Sequence, residues 1–529
     1  MVELYDTTLR DGAQREGISL TVKDKIAIAR KIDELGISYI EGGWPGSNPK
    51  DVEFFSRAKD LDLQNARLVA FGSTCHPGAK PEQDANLLSL VESGATVVNI
   101  VAKGSDLHVR QVLQVELEEN LRMISKSIEF LKSHNLEVFV DIEHAFDGFK
   151  NNPEYTLEVL RIASDAGAKC LVLCDTNGGA LPQEIADMVK AVKKAVSVDL
   201  GIHAHNDGEL AVANSLAAVM AGVNHVEGTI NGYGERCGNA NLCSIIPALK
   251  LKMGIDCVSD EQLSKLTEVS RFVSEVANLS PDGHLPYVGS SAFSHKAGLH
   301  VSGISKWSQS YQHIDPELVG NKTRTLVSEL SGRSNIIFRA REIGVPLPPS
   351  GTEARKLVEQ VKSLESRGFQ YENAEASFDL LLHRGVPGYQ PPFELVDFMV
   401  LVEKRRRQSS RNLSSEDMLS EAMVKVKIDG SILHTASEGD GPVNALDNAL
   451  RKALLANYPS LSAVKLVDYK VRILEQSTGT ESLVRVLIES TDGENQWRTV
   501  GSSTNIIEAS WLALADSLEY WLLRNNSGK

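Results

Sequence analysis

The segment His203-Ala204-His205-Asn206-Asp207 follows the apolar run Val198 to Ile202 and precedes Gly208 and a helix-like stretch. Residues two apart in a strand share a face, so both imidazoles can turn toward one ion. The same spacing also suits two polar tip residues bonded to neighbouring loops. Asp11 can add an oxygen ligand, and Asn239 can add its amide oxygen. Two nitrogens with two oxygens suit a hard or borderline divalent cation, with Mg²⁺, Mn²⁺ and Zn²⁺ all open. Six-coordination would leave two positions, which a 2-oxo acid can fill through its ketone and one carboxylate oxygen. An ion so placed polarises the ketone toward attack by carbon.

Other side chains have types suited to the same chemistry. Arg10, beside Asp11, carries a planar fork and a permanent charge that can oppose developing negative charge; the lesser alternative is an ion pair closing the mouth of a barrel. Thr176 can donate its hydroxyl to a carboxylate. Glu41 and Glu143 can orient substrate, water or a ligating histidine. Asp175 is better suited to supporting the loop that follows it. The glycines of Asn231-Gly232-Tyr233-Gly234-Glu235-Arg236-Cys237-Gly238-Asn239 permit tight turns but match no phosphate-binding loop.

These residues need elements to hold them, and the first 255 residues supply a repeated unit of short apolar strand, turn and amphipathic helix. Strands are expected at Val2-Tyr5, Tyr39-Glu41, Leu68-Phe71, Val97-Val101, Glu137-Val140, Cys170-Cys174, Val198-Ile202 and His225-Glu227. Helical stretches include Val22-Leu35, Gln83-Glu92, Leu113-Ser133, Thr156-Ala166, Pro182-Ala195 and Glu209-Ala221. The series predicts an α/β fold, a (β/α)₈ TIM barrel, over residues 1–256, with an open doubly wound sheet as the alternative. A barrel places chemistry at the C-terminal strand ends. Arg10-Asp11, Glu41, His76, His108, Glu143-His144, Asp175-Thr176-Asn177, His203-His205, and Glu227 with Asn231 all fall there in turn. Residues 257–415 read as helical linker subdomains. Residues 416–529 read as a compact α/β module, with strands Met423-Ile428, Ile432-Ala436, Lys465-Leu474, Leu483-Ser490 and Gln496-Ser502, and helices Val443-Asn457 and Ile506-Leu523. The basic connector Glu403-Lys404-Arg405-Arg406-Arg407-Gln408-Ser409-Ser410-Arg411 has no aromatic interleaving and reads as a solvated segment.

At 529 residues the chain can bury more than one core, and its net charge of −15 gives no electrostatic reason to expect nucleic acid or an anionic membrane as partner. No apolar run has the length of a membrane span. The N-terminus lacks a basic segment followed by an apolar core, so no secretory signal is expected. The six cysteines are too sparse for a disulfide framework, which favours a reducing cytoplasm.

Leu9-Arg10-Asp11-Gly12-Ala13-Gln14, His203-Ala204-His205-Asn206-Asp207 and Gly228-Thr229-Ile230-Asn231-Gly232-Tyr233-Gly234-Glu235-Arg236-Cys237-Gly238-Asn239 together resemble signatures of the 2-isopropylmalate, homocitrate and citramalate synthase family. The resemblance extends over nearly the whole chain and implies a catalytic barrel, a linker, and an amino-acid-binding regulatory and dimerisation domain. It implies metal ligation by Asp11, His203, His205 and Asn239, ketone activation by Arg10, and carboxylate contact by Thr176. The candidate substrate-binding set is Arg10, Gln14, Glu41, His108 and Thr176; the candidate catalytic set is Arg10, Glu143 and His300. Ser294-His295-Lys296-Ala297-Gly298-Leu299-His300 is similar to the family's linker motif, which reaches the active site of the other subunit, and His300 matches its functional histidine. The implied reaction condenses acetyl-CoA with a 2-oxo acid and hydrolyses the thioester. Tyr39-Ile40-Glu41-Gly42-Gly43-Trp44 and Asp141-Ile142-Glu143-His144-Ala145-Phe146-Asp147-Gly148 look most like the branch that accepts pyruvate, with isoleucine as effector. The alternative acceptor is 2-oxoisovalerate. Pockets for the two differ by a few apolar contacts, worth ~1–3 kcal/mol.

Overall fold

Eight short strands recur through the first half of the chain: β1 (Glu3–Asp6), β2 (Tyr39–Gly43), β3 (Arg67–Ser73), β4 (Val97–Lys103), β5 (Glu137–Glu143), β6 (Cys170–Asp175), β7 (Asp199–Ala204) and β8 (His225–Gly228). In the computed structural model each pairs in parallel with the next, and β8 pairs with β1 through Leu4 and Val226, closing the sheet into a barrel. Closure excludes the open doubly wound alternative. The structure describes residues 2–59, 61–295, 300, 303–304, 306–325, 333–346, 352–404, 418–474 and 482–525.

The chain divides into two compact units, residues 1–293 with 312–323, and residues 294–311 with 324–529. In the first, the helices that return the chain between strands are Val22–Glu34, Pro49–Ala58, Ala85–Glu92, Leu117–Ser133, Pro153–Asp165, Pro182–Ala195 and Ala211–Ala221. Their starts are written locally. Thr21 and Asp24 form a reciprocal cap, and the side chains of Asn48, Asp84 and Asn152 accept from the first free backbone N–H groups. Two of the helical segments, Pro49–Ala58 and Ala145–Asn151, lie outside the stretches expected from periodicity. The fourth helix starts later than Leu113 because residues 109–113 form a wider turn, ended by Gln114 in the left-handed region.

Burial follows two layers. Alternate strand residues turn inward, and Tyr5, Tyr39, Val69, Val97, Phe139, Cys170, Val172 and Cys174 fill the barrel interior. The other face of each strand packs against the helices in a larger core that includes Leu4, Ile40, Val98, Ile142, Leu171 and Ile202. The interior plug leaves its C-terminal mouth for polar residues.

The second unit contains helices Arg333–Glu342, Thr352–Ser366 and Glu375–Arg384, then two antiparallel three-stranded sheets. The five strands expected there form, and a sixth, Glu394–Lys404, pairs with Met418–Ile428. Helices Pro442–Leu454 and Ile506–Asn525 supply the apolar stripes that the sheets cover. Most of the basic connector, residues 405–411, lies outside the described residues. Among the described residues, no helix is long and apolar enough to cross a membrane.

Candidate active site

The turn after β1 is fixed before it presents any chemistry. The Asp6 carboxylate accepts from the Thr8 amide at 2.9 Å and the Thr8 hydroxyl at 2.8 Å, and Thr8 Oγ1 accepts from the Ile230 amide at 2.9 Å. Gly12 N donates to Thr7 O at 2.9 Å, closing the turn that carries Arg10 and Asp11. One strand away across β8, β7 delivers His203, and His205 forms an isolated antiparallel bridge with Asn239. Asn206 N donates to Gly238 O at 2.8 Å and Ala240 N to Ala204 O at 2.9 Å, so the loop after β8 folds back along β7. Its glycines allow the return. Gly234 has φ 155°, and a Cβ there would overlap the Asn239 side-chain amide. The turns read from sequence therefore seat a side chain.

Four buried donors meet at this point. His203 Nε2 lies 3.3 Å from Asp11 Oδ2 and 3.3 Å from His205 Nε2. Asp11, His203 and His205 each offer a ligand atom within 4.8 Å of the others. Asn239 Nδ2 donates to Tyr233 O at 3.2 Å, while its Oδ1 is buried with no hydrogen-bond partner. A buried amide oxygen left unpaired is costly unless something completes it. Two imidazole nitrogens, a carboxylate and that orphaned oxygen fit a divalent cation. Burial would raise the Asp11 carboxyl, yet Arg10, followed by His203, holds it well below the ordinary carboxylate range. Burial and then the His203 charge push His205 down to about 4, which keeps its ring neutral and able to ligate at neutral pH.

Arg10 is clamped on several sides. Its Nε pairs with Glu41, its Nη1 lies 3.4 Å from Asp11 Oδ2, and its guanidinium carbon sits 3.8 Å above the Phe71 ring. Glu41 is fully buried and also accepts from the Tyr5 hydroxyl at 2.8 Å. This fixes the plane of the guanidinium at the mouth, beside the cluster of donors.

The ends of β4, β5 and β6 bear a second polar cluster. Glu143 pairs with Lys103, and the His144 amide donates to Thr176 Oγ1 at 2.8 Å. Thr176 thereby keeps its hydroxyl proton free to donate elsewhere. His144 occupies the left-handed region at φ 54°, and its ring lies tilted by 34° against His108 with centroids 3.9 Å apart. Burial lowers His108, and the His144 ring lowers it further. Arg236 donates to Thr176 O at 2.8 Å and grips both Asp207 oxygens, tying the glycine-rich loop to the β6 and β7 ends.

The barrel thus gathers Arg10, Asp11, Glu41, His203, His205 and Asn239 on one side, and His108, Glu143 and Thr176 around neighbouring strand ends. Gln14 is exposed at the end of the short 3₁₀ turn Gly12–Gln14. His300 belongs to the second unit, where it is exposed and stacked on Tyr311 at 4.2 Å, so it is not among the side chains that the barrel itself assembles. Residues 296–299 of its segment lie outside the described residues. Asp175 does support its loop: its carboxylate accepts from Ala180 N at 3.3 Å and from Asn214 Nδ2 at 3.2 Å. Lys103, Phe71 and Asp141, each a polar or aromatic residue inside an apolar strand run, lie at the site without standing out in the sequence. Only their position at or near a strand's C-terminal end could have pointed to them.

Comparison with known proteins matches this architecture end to end. The HMGL-like family model matches residues 1–273, the homocitrate synthase post-HMGL domain-like model residues 287–368, and the LeuA allosteric (dimerisation) domain residues 373–522. The chain is 54% identical to an (R)-citramalate synthase of Geobacter sulfurreducens, over 99% of this chain and 98% of that protein. It is 52% identical to an (R)-citramalate synthase of Aquifex aeolicus, again over 99% and 98%. A probable 2-isopropylmalate synthase of Methanopyrus kandleri is 32% identical over 96% of each.

Proposed function

The chain belongs to the HMGL-like family, in its citramalate synthase branch, and from that membership we propose that it condenses acetyl-CoA with pyruvate and water to give (R)-citramalate and CoA. It is an acyltransferase. The full-length identity to citramalate synthases carries this proposal, and the fit of Asp11, His203, His205 and Asn239 to a divalent ion supports it.

Mg²⁺ or Mn²⁺ is the preferred ion, with Zn²⁺ possible; bound by those four residues, it would supply Lewis-acid polarisation of the acceptor's ketone. Arg10, its plane held by Glu41 and Phe71, directs N–H groups and positive charge at the oxygen where negative charge develops as carbon attacks. Thr176, its oxygen occupied by the His144 amide, donates its proton to the acceptor carboxylate. Gln14 and His108 line the acceptor's approach. Glu143, its charge balanced by Lys103, acts with His300 in moving protons: one leaves the acetyl methyl group, and one returns to the new alkoxide. Water then cleaves the thioester and releases CoA. His300 acts in the other subunit of a homodimer, for which the LeuA dimerisation domain match is the support. The proposed division is a catalytic barrel at 1–256, a linker at 257–415, and a module at 416–529 that pairs subunits and binds isoleucine as a feedback effector. The enzyme works in the cytoplasm, in isoleucine formation.

The test is CoA release by the purified full-length protein with acetyl-CoA, Mn²⁺ or Mg²⁺, and pyruvate, 2-oxoisovalerate or 2-oxoglutarate, with the product identified. Pyruvate is expected to give the highest kcat/KM and citramalate as product. Preference for 2-oxoisovalerate would replace this proposal with 2-isopropylmalate synthesis. In the same assay, a His300→Ala variant with unchanged turnover and pH profile would remove that residue from the chemistry.

A further inference from the structure

Beneath the four donors lies a fully buried carboxylate, Glu227 of β8, with both oxygens engaged. Its Oε2 lies 2.8 Å from His203 Nδ1, and its Oε1 lies 3.3 Å from His225 Nε2. His225 sits in an aromatic box inside the barrel, with ring centroids 5.2 Å from Tyr5 and Phe139 and 5.9 Å from Tyr39, and its Nδ1 has no hydrogen-bond partner. A neutral imidazole carries one N–H, so that arrangement assigns the His225 proton to Nε2, where Glu227 accepts it. The same carboxylate accepts from His203 Nδ1, so the proton His203 gives up when an ion binds is the one on Nε2, the nitrogen that faces Asp11 and His205.

His203 belongs to two groups of possible ligands: Asp11 with His205, and Asp141 with Glu227. We propose that Glu227 is a positioning residue for the metal centre, one that fixes the ring and tautomer of His203 so that Nε2, on the Asp11–His205–Asn239 side, and not Nδ1, on the Asp141–Glu227 side, faces the ion. Three observations favour the Asp11 side. Each Glu227 oxygen already accepts from a histidine, so an ion on that side would compete with two hydrogen bonds. One oxygen of Asp141, Oδ1, also accepts from Asn99 Nδ2 at 2.9 Å. The unpartnered Asn239 Oδ1 belongs to the other group's surroundings, and the His205–Asn239 bridge brings it there. A carboxylate that accepts from the remote N–H of a ligating histidine orients the ring and increases its basicity. A glutamine at 227 has one acceptor oxygen for two N–H groups, and its own amide protons would face a nitrogen that is also a donor.

This inference rests on the proposed divalent centre, and its test separates the two. Mn²⁺ is titrated into the metal-free, full-length protein without substrate, and free Mn²⁺ is read by electron paramagnetic resonance for wild type, Glu227→Gln and Asp11→Asn. Glu227→Gln is expected to raise the Kd ten- to a hundredfold and, because a buried amide N–H then faces another donor, to lower the unfolding midpoint of the metal-free protein, while the KM for pyruvate returns to wild type once Mn²⁺ is saturating. A wild-type Kd in Glu227→Gln, alongside weakened binding in Asp11→Asn, overturns the positioning role and leaves the metal centre intact. Wild-type protein that binds no Mn²⁺ overturns the centre itself, and this inference with it. If Glu227→Gln does not fold, ¹⁵N spectra of histidine-labelled wild type loaded with Zn²⁺ decide the matter. A His203 signal that keeps its proton on Nδ1 and carries the metal on Nε2 supports the assignment, and metal on Nδ1 overturns it.

Discussion

Arg10 illustrates how one side chain acquires a function from three neighbours. Glu41 holds its Nε, Asp11 lies beside Nη1, and Phe71 supports the flat face. A lysine keeps the charge but loses the fork and the stacking. Arg10→Lys is therefore expected to lower kcat by about 100-fold or more, the range seen when one oriented donor at a developing oxyanion is removed. The KM for acetyl-CoA should change little. Steady-state kinetics with acceptor and metal saturating checks this, and a kcat within a factor of three of wild type would remove Arg10 from the transition state. At this scale the sequence was legible where residues with chemistry stood next to turn residues: Arg10-Asp11-Gly12 and His203-Ala204-His205. It was silent on Phe71, Lys103 and Glu227 as partners, because each sits in a strand whose neighbours in space are dozens of residues away in sequence.

At the scale of elements, strands and loops present the donors only because their backbones are constrained. Gly234→Ala would force a Cβ into the Asn239 amide at φ 155°, where L residues are strained. It is expected to weaken Mn²⁺ binding about tenfold or more while the barrel stays folded, as read by Mn²⁺ titration and circular dichroism; unchanged affinity would mean that Asn239 is not a ligand. A second device lies at the end of β1. Burial pushes the Asp6 carboxyl from its ordinary value of 3.8 up to about 7, against the hydrogen bonds from Thr8. The folded protein therefore binds this proton more tightly than the unfolded chain does. The associated stability is complete below about pH 4 and is lost as pH rises through 7. Asp6→Asn abolishes that loss, so in urea titrations wild type is expected to fall by about 3 kcal/mol relative to the variant between pH 5 and pH 8. Equal pH slopes would show that Asp6 is already ionised in the folded barrel. The strands of this barrel were predictable to within a few residues from apolar runs, whereas Pro49–Ala58 and Ala145–Asn151 were not. The second follows β5 directly, by way of the left-handed His144, with no polar loop to announce it.

For the molecule as a whole, the two units have separate apolar cores, one of barrel and surrounding helices and others of sheet and helix. Within the second unit, Arg384 joins the helix Glu375–Arg384 to Ile506–Asn525, donating to Asp516 at 2.8 Å and to Glu519 at 2.6 and 3.1 Å. Arg384→Ala leaves two largely buried carboxylates without their cation. It is expected to destabilise this unit by on the order of 2 kcal/mol, less than for a fully buried pair because Arg384 is 40% exposed. Denaturant unfolding followed by the fluorescence of Trp497, Trp511 and Trp521 in the second unit would register it, and an unchanged midpoint would mean that solvent replaces the lost cation. The sequence by itself determined the alternation of strand and helix, the separate C-terminal module, and the strand-end histidine pair, because periodicity and spacing are local properties of the chain. Only the tertiary structure decided that the sheet closes, since closure depends on β8 meeting β1 across more than 200 residues. It also decided that Asn239 returns to His205 and that Glu227 lies beneath His203. Those meetings depend on where the backbone turns bring distant residues together, and a linear pattern carries no record of them.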